Sequence, residues 1–237
     1  MARCRACTRG NAGRDFQPSD GIGHCCDERW RIALLSGPGC SCLQHGVAVP
    51  AEAACPNRRS LPVNRSPLQD AVTEVLRQGE LLLQLLKDEE YTRQLASVFG
   101  STVGGHYRHC LDHFQSLLQG LDADEINYDH RRRDPRIEND RTFALAETHR
   151  ILRSFASIPT PFLDCPINVR SKVNYEADTT PLIGSTVGRE LMYAVAHAIH
   201  HYALIAVICG ILEVPVPAGF GVAPSTLKYH ADQPKAA

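Results

Sequence analysis

One long stretch of the sequence carries no formal charge. Residues 191–212 are 22 consecutive positions without Asp, Glu, Lys or Arg, which is the length that a helix needs to cross a bilayer. His197, His200 and His201 lie at its centre, and imidazoles in hydrocarbon are costly unless they face a protein interior. A helix that is apolar all round is equally typical of the interior of a soluble protein. We therefore predict a buried helix, with a membrane-associated protein that uses residues 191–212 as the alternative.

Helical periodicity recurs through most of the remaining chain. Apolar residues at helical spacing predict helices over 67–87, 103–118, 137–156 and from 185 or 186 to 212. Ser66 before Pro67 is a typical start of a helix, and Ser101 or Thr102 caps the second one. The alternation of apolar and polar residues over 167–173 favours a short strand or hairpin. Four long amphipathic helices predict an all-α domain over residues 61–237, built as a four-helix bundle.

The first 60 residues differ in composition from this body. They hold seven of the ten cysteines, and apart from 31–35 they show no sustained apolar periodicity. Too little apolar surface is available there to offset the entropy of ordering the chain, so we expect residues 1–60 to be a disordered extension, or the product of a start codon assigned too far upstream. Cys4 and Cys7 have the spacing of zinc ligands, but no second pair follows at a finger-like distance. The segment also lacks the apolar core of a secretory signal, and we expect a cytoplasmic protein.

The overall composition is that of an ordinary globular protein. Hydrophobic residues make up 43% of the chain, charged residues 22%, and the net charge is −1. A nucleic-acid-binding protein usually carries a basic face, so we expect no nucleic-acid partner. The run 131–133 of three arginines is flanked by acids and is typical of a solvated loop, with binding of an anionic substrate as the alternative. Arg108 and Asp112 are expected to pair on a helix surface.

Histidines recur on two of the predicted helices. His197 and His201 are four residues apart, hence about 40° apart around one helix, and such a pair can bind one divalent cation. His106, His109 and His113 follow one another at spacings of three and four and form a stripe on the second helix. Burying imidazoles without partners costs a few kcal/mol each. A shared metal ion between facing helices is one solution, and hydrogen-bond pairing is the other.

Two segments resemble the metal-ligand helices of the DinB/YfiT-like superfamily. They are Gly-Gly-His-Tyr-Arg-His-Cys-Leu-Asp-His-Phe at 104–114 and Glu-Leu-Met-Tyr-Ala-Val-Ala-His-Ala-Ile-His-His-Tyr at 190–202. The ending Gly-Phe-Gly-Val-Ala-Pro-Ser-Thr-Leu at 219–227 resembles the tail of an uncharacterised bacterial branch of this superfamily. The resemblance extends over residues 66–229. It implies a four-helix bundle with a three-histidine site for a divalent metal.

The same resemblance implies which residues are the metal ligands. His197 and His201 match the two ligands on the last long helix. His109 matches the third ligand best, and His106, one turn earlier, is the alternative. His113 and His200 match no position of the family pattern.

The resemblance also implies a chemistry. Related families include metal-dependent thiol transferases and isomerases, so it implies a metal-dependent enzyme that acts on a small molecule, with a low-molecular-weight thiol as a partner. Zinc, nickel and iron all suit imidazole ligands. A non-catalytic metal-binding bundle for storage, sensing or structure is the alternative. With either function, one expectation is that the protein forms a homodimer. Glu190, two turns before His197, is a candidate base, although an acid in a first helical turn also stabilises the helix.

Overall fold

The computed structural model describes residues 65–176 and 178–233. The predicted extension over residues 1–60, with Cys4 and Cys7, lies outside the described residues. Within them the chain is mostly helical, as predicted, and contains seven α-helices and three β-strands. In chain order these are α1 (Pro67–Leu85), α2 (Asp88–Thr92), α3 (Val103–Ala123), β1 (Glu125–Asn127), α4 (Pro135–Asn139), α5 (Arg141–Ala156), β2 (Pro166–Arg170), β3 (Leu182–Thr186), α6 (Val187–Ile211) and α7 (Pro224–Asp232).

Three of the long helices begin at capping residues that the sequence predicts. Ser66 Oγ accepts a hydrogen bond from the backbone N–H of Gln69, and the Gln69 side chain accepts one from the backbone N–H of Ser66, so α1 begins with a capping box. Thr102 caps α3 and Thr186 caps α6 through their side-chain oxygens. These starts follow from local chemistry, because each cap contacts an amide only three residues away.

The helix ends depart from the prediction in two places. The second helix, predicted over 103–118, continues to Ala123, and Gly120 within it packs against Ile126 of β1, where a side chain would collide. The single helix predicted over 137–156 is wrong. It divides into α4 and α5 at Asp140, which has an extended backbone and whose carboxylate accepts a hydrogen bond from the Phe143 N–H at the start of α5.

A small sheet is the main departure from the predicted all-α fold. Its strands lie in the order β1-β2-β3, with β1 parallel to β2 and β2 antiparallel to β3. Strand β2 occupies Pro166–Arg170, within the region where a short strand or hairpin was expected. Because β1 follows α3 directly and β3 leads into α6 at Thr186, the sheet ties the end of α3 to the start of α6.

Helices α1, α3, α5 and α6 meet at a buried pair of tyrosines. The rings of Tyr107 and Tyr202 are stacked at 6.2 Å, and the Tyr107 hydroxyl hydrogen-bonds Thr148 of α5 at 2.7 Å. Gly79 brings α1 against both rings, since a Cβ there would collide with the Tyr202 hydroxyl. This packing holds α3 face to face with α6, and the candidate site lies between these two helices.

Helix α6 is buried on one side only, so the prediction of a buried helix over residues 191–212 is met in part. Met192, Val207 and Ile211 are each about half exposed, while Leu191, Ala198 and other positions on the opposite face are buried against the core. By length and composition alone α6 could cross a membrane, with 39% of its most apolar window buried. Core helices of soluble proteins meet the same criterion, so this observation is weak support for a membrane location.

Candidate metal centre

Three histidines from α3 and α6 converge on one point. Each of His109, His197 and His201 offers a ring nitrogen, and these nitrogens all lie within 4.8 Å of one another. The Nε2 atoms of His109 and His197 are 2.9 Å apart. The ring of His201 lies 4.5 Å from that of His109 and 4.6 Å from that of His197, measured between centroids. The structure therefore brings together the three residues that the resemblance selects.

This spacing is close to that of three ligands around one ion. A zinc–nitrogen bond of about 2.0–2.1 Å places two tetrahedral ligand nitrogens about 3.3 Å apart. The separation of 2.9 Å between His109 and His197 Nε2 is close to that value, and all three nitrogens lie within 4.8 Å of one another. All three side chains are only partly buried, which leaves an ion a path from solvent. The three residues fit a divalent metal by donor type and by spacing.

The environment keeps these imidazoles neutral. Burial, and after it the neighbouring histidines, lower the pKa of His109 and of His201 to about 3. The pKa of His197 is also lowered, chiefly by burial. Only the neutral imidazole has a lone pair to give to a metal. The cluster is therefore in its metal-binding form at neutral pH.

His106, the alternative third ligand, contacts His201 and is not one of the three converging histidines. Its Nδ1 is 3.0 Å from Nδ1 of His201, and it is not one of the three histidines whose nitrogens lie within 4.8 Å of one another. A metal-bound histidine usually uses its second ring nitrogen in a hydrogen bond that fixes its orientation. The geometry gives His106 that role towards His201, and leaves His109 as the third candidate ligand.

His113 has no predicted role, yet it is part of the cluster. Its ring packs 4.0 Å from that of His197 and 4.8 Å from that of His109, and its exposed fraction is 3%. Neither of its nitrogens has a hydrogen-bond partner among the described residues, and burial lowers its pKa to about 2. A buried polar group without a partner costs about 1–3 kcal/mol. Its position four residues after His109 was the one sequence signal that pointed to it.

Charged residues beside the cluster are more deeply placed than the sequence predicts. Arg108 Nη1 donates to Asp112 at 2.7 Å, but the Asp112 side chain is fully buried, so this pair is not on the surface. Arg131 is not a solvated loop residue either, because its guanidinium lies 4.0 Å from Asp112 and its side chain is 18% exposed. Burial and His201 are the two largest causes of the lowered pKa of His109, and the charge of Arg131 is the next.

Glu190 is held away from the role of a free base. The Tyr128 hydroxyl donates to one of its carboxylate oxygens at 2.9 Å, and the Ser185 hydroxyl donates to the other at 2.7 Å. Tyr128 in turn packs against the ring of His113 at 5.1 Å. Glu190 therefore supports a wall of the cluster through Tyr128, and each of its oxygens accepts a hydrogen bond from a hydroxyl group.

A cavity at the start of α3 opens onto two of the three histidines. Its volume is about 300 Å³, and its walls include both His109 and His201. His106, Arg108 and Glu138 line the same cavity. A small molecule in this cavity would lie beside a cation held by the histidines.

Comparison with known proteins assigns no family. No family model matches the chain, and no solved structure matches it. A stretch of 104 residues, 44% of this chain, is 38% identical to a protein named FK506-binding protein 5 from Rhizopus delemar. The match covers 27% of that protein, so the chain spans about a quarter of the relative's length.

Proposed function

We propose that this protein is a DinB-like metalloprotein in which α1, α3, α5 and α6 form a four-helix bundle. His109, His197 and His201 hold one divalent cation in its core. The observation that carries the proposal is the convergence of three neutral imidazoles, whose nitrogens lie within 4.8 Å of one another, from two separate helices. The resemblance of both helices to the metal-ligand helices of that superfamily supports the same three residues.

The proposed activity is a metal-dependent transfer of a thiol, or a related reaction, on a small molecule in the cytoplasm. Bound zinc, nickel or iron would supply a Lewis acid that lowers the pKa of a coordinated water or thiol. The protein's own contribution is positional. His106 orients His201 through their 3.0 Å contact, and the cavity at the start of α3 admits a small molecule to the rings of His109 and His201.

Metal analysis of the purified protein tests this proposal. We expect one equivalent of divalent metal per chain in the wild type and its loss in the double variant His197→Ala, His201→Ala. His149→Ala is the matched control, because His149 lies on α5 and contacts Glu80 at 3.0 Å, away from the cluster. Unchanged metal content in the double variant would remove the site.

A non-catalytic metal-binding protein is the second candidate. One observation favours it: both oxygens of Glu190, the candidate base, accept hydrogen bonds from the hydroxyls of Tyr128 and Ser185, which is the arrangement of a structural carboxylate. Storage, sensing or a structural role needs only the cation and its ligands. Assays of the metal-loaded protein with low-molecular-weight thiols and electrophiles separate the candidates, since turnover that requires the metal supports the enzyme.

Two other functions are weaker. The exposed apolar residues of α6 keep a membrane-associated protein as an alternative, and cell fractionation tests it, since recovery in the membrane fraction would replace the cytoplasmic proposal. Binding of FK506 belongs to the name of a relative of which 27% is matched, and it forms no part of the proposal.

A further inference from the structure

We propose that the cavity beside His109 and His201 binds the ammonium and carboxylate groups of a free amino acid, with the ligand's remaining donor group directed at the cation. This inference rests on the proposed function and adds a substrate class to it. It rests on one ion pair in the cavity wall, Arg108–Glu138. Each of these two side chains keeps one polar atom that makes no hydrogen bond within the described residues.

Arg108 and Glu138 form an ion pair in which one polar atom of each side chain has no hydrogen-bond partner in the described part of the protein. Arg108 Nε donates to Glu138 Oε2 at 2.8 Å, and Arg108 Nη1 donates to the fully buried Asp112 at 2.7 Å. In the described part of the chain no residue hydrogen-bonds Arg108 Nη2 or Glu138 Oε1. The two side chains are 19% and 37% exposed, and both line the cavity.

These two atoms match the two charges of an amino acid. Nη2 is a cationic donor suited to a carboxylate, and Oε1 is an anionic acceptor suited to an ammonium group. Both charges of an amino acid are attached to one carbon, and the donor and acceptor belong to partners in a single ion pair. A ligand with only one charge would form one of these two charged contacts and leave the other atom to water, so a ligand with both charges gains an additional contact.

The position of the pair relates this recognition to the candidate metal centre. Arg108 immediately precedes His109 on α3, and His109 and His201 line the same cavity. A volume of about 300 Å³ is at the lower end of the range for small-molecule sites. A ligand of the size of an amino acid therefore has room to contact the ion pair while its side-chain donor reaches the cation.

Thiol binding to the cobalt-loaded full-length protein tests the inference. A thiolate that ligates Co²⁺ gives a charge-transfer absorption band, so four thiols can be titrated by one method. L-Cysteine carries both charges, cysteamine only the ammonium, 3-mercaptopropionate only the carboxylate, and 2-mercaptoethanol neither. We expect L-cysteine to bind about 100-fold more tightly than 2-mercaptoethanol and the singly charged thiols to fall between them, since each charged contact is worth about tenfold.

Glu138→Gln separates the two charges. The amide oxygen can still accept from Arg108, but the anionic acceptor for the ammonium group is gone. We expect a loss of about tenfold for L-cysteine and cysteamine and a change of less than about twofold for 3-mercaptopropionate. Glu125→Gln is the matched control, because Glu125 pairs with Arg170 at 2.7 Å with a similar exposure of 36% and does not line the cavity.

The outcomes distinguish this inference from the proposed function. Equal affinity for all four thiols, or a Glu138→Gln variant indistinguishable from Glu125→Gln, overturns the amino-acid site and leaves the metal site intact. Failure of the wild-type protein to bind Co²⁺, or to give a thiolate band with any of the four thiols, overturns the proposed metal chemistry and the inference with it. A graded series that Glu138→Gln changes selectively supports both.

Discussion

His106 and His109 share one face of α3 but have different partners, which predicts different consequences when each is removed. His106→Ala should keep the metal stoichiometry and weaken metal affinity by about 10–100-fold, because a hydrogen-bond partner of a ligand is lost. His109→Ala should weaken affinity by more than that, because a ligand is lost. Competition titration against a chelating dye measures both. A larger loss for His106→Ala than for His109→Ala would make His106 the third ligand.

The burial of the Asp112 carboxylate between two arginines predicts a separate effect on stability. Asp112→Asn removes the buried anion that faces Arg108 and Arg131, and we expect the free energy of unfolding to fall by about 3 kcal/mol. The control is Asp88→Asn, whose side chain is 78% exposed and pairs with Arg141, where we expect less than about 1 kcal/mol. Urea denaturation compares the two variants, and equal losses would contradict the buried pair.

The sequence predicts the candidate ligands better than it predicts their surroundings. Helical spacing puts His197 and His201 on one face, and the resemblance adds His109. Spacing alone leaves His106 equally eligible, because both histidines belong to one stripe and only the tertiary contact to His201 separates them. The depths of His113 and Arg131 depend on how α3, α6 and the loop after β1 pack together, which no local pattern records.

At the level of helices, two glycines test the packing of α1 and α6. Gly79→Ala should lower the free energy of unfolding by about 2 kcal/mol, because its Cβ would collide with the side chains of Tyr107 and Tyr202. Gly210→Ala is the control on α6, where no atom lies within 4 Å of the added Cβ, and it should be neutral or stabilising by up to about 1 kcal/mol. Thermal unfolding monitored by circular dichroism measures both changes. Stabilisation by Gly79→Ala would contradict the contact between α1 and the two tyrosines.

The starts of α1, α3 and α6 were predictable from sequence, whereas the end of α3 and the break between α4 and α5 were not. Ser66, Thr102 and Thr186 act on amides three residues away, so a short stretch of sequence contains the whole interaction. Near the end of α3, Gly120 instead packs against Ile126 of β1. Ile126 in turn pairs with Val169 of β2 in the sheet. Those partners are distant in sequence, which is why an all-α fold was expected where a small sheet exists.

For the whole molecule, the described core predicts that the first 60 residues are dispensable for folding. A chain that begins at Leu61 keeps α1, α3, α5, α6 and the sheet that joins them. We expect its melting temperature to lie within about 2 °C of the full-length value, which for a domain of this size corresponds to no more than about 1 kcal/mol. Differential scanning calorimetry measures it, and a fall of 5 °C or more would show that residues 1–60 pack against the rest of the protein.

The central claim is that imidazoles from two helices surround a single cation, and the ten cysteines of the chain make sulfur the chemical alternative. X-ray absorption spectroscopy of the zinc-loaded full-length protein distinguishes them, because zinc–nitrogen bonds of about 2.0–2.1 Å and zinc–sulfur bonds of about 2.3 Å give separate shells. The account predicts three imidazole ligands in the wild type and two in His109→Ala. A sulfur shell, or an imidazole count that His109→Ala leaves unchanged, would contradict it.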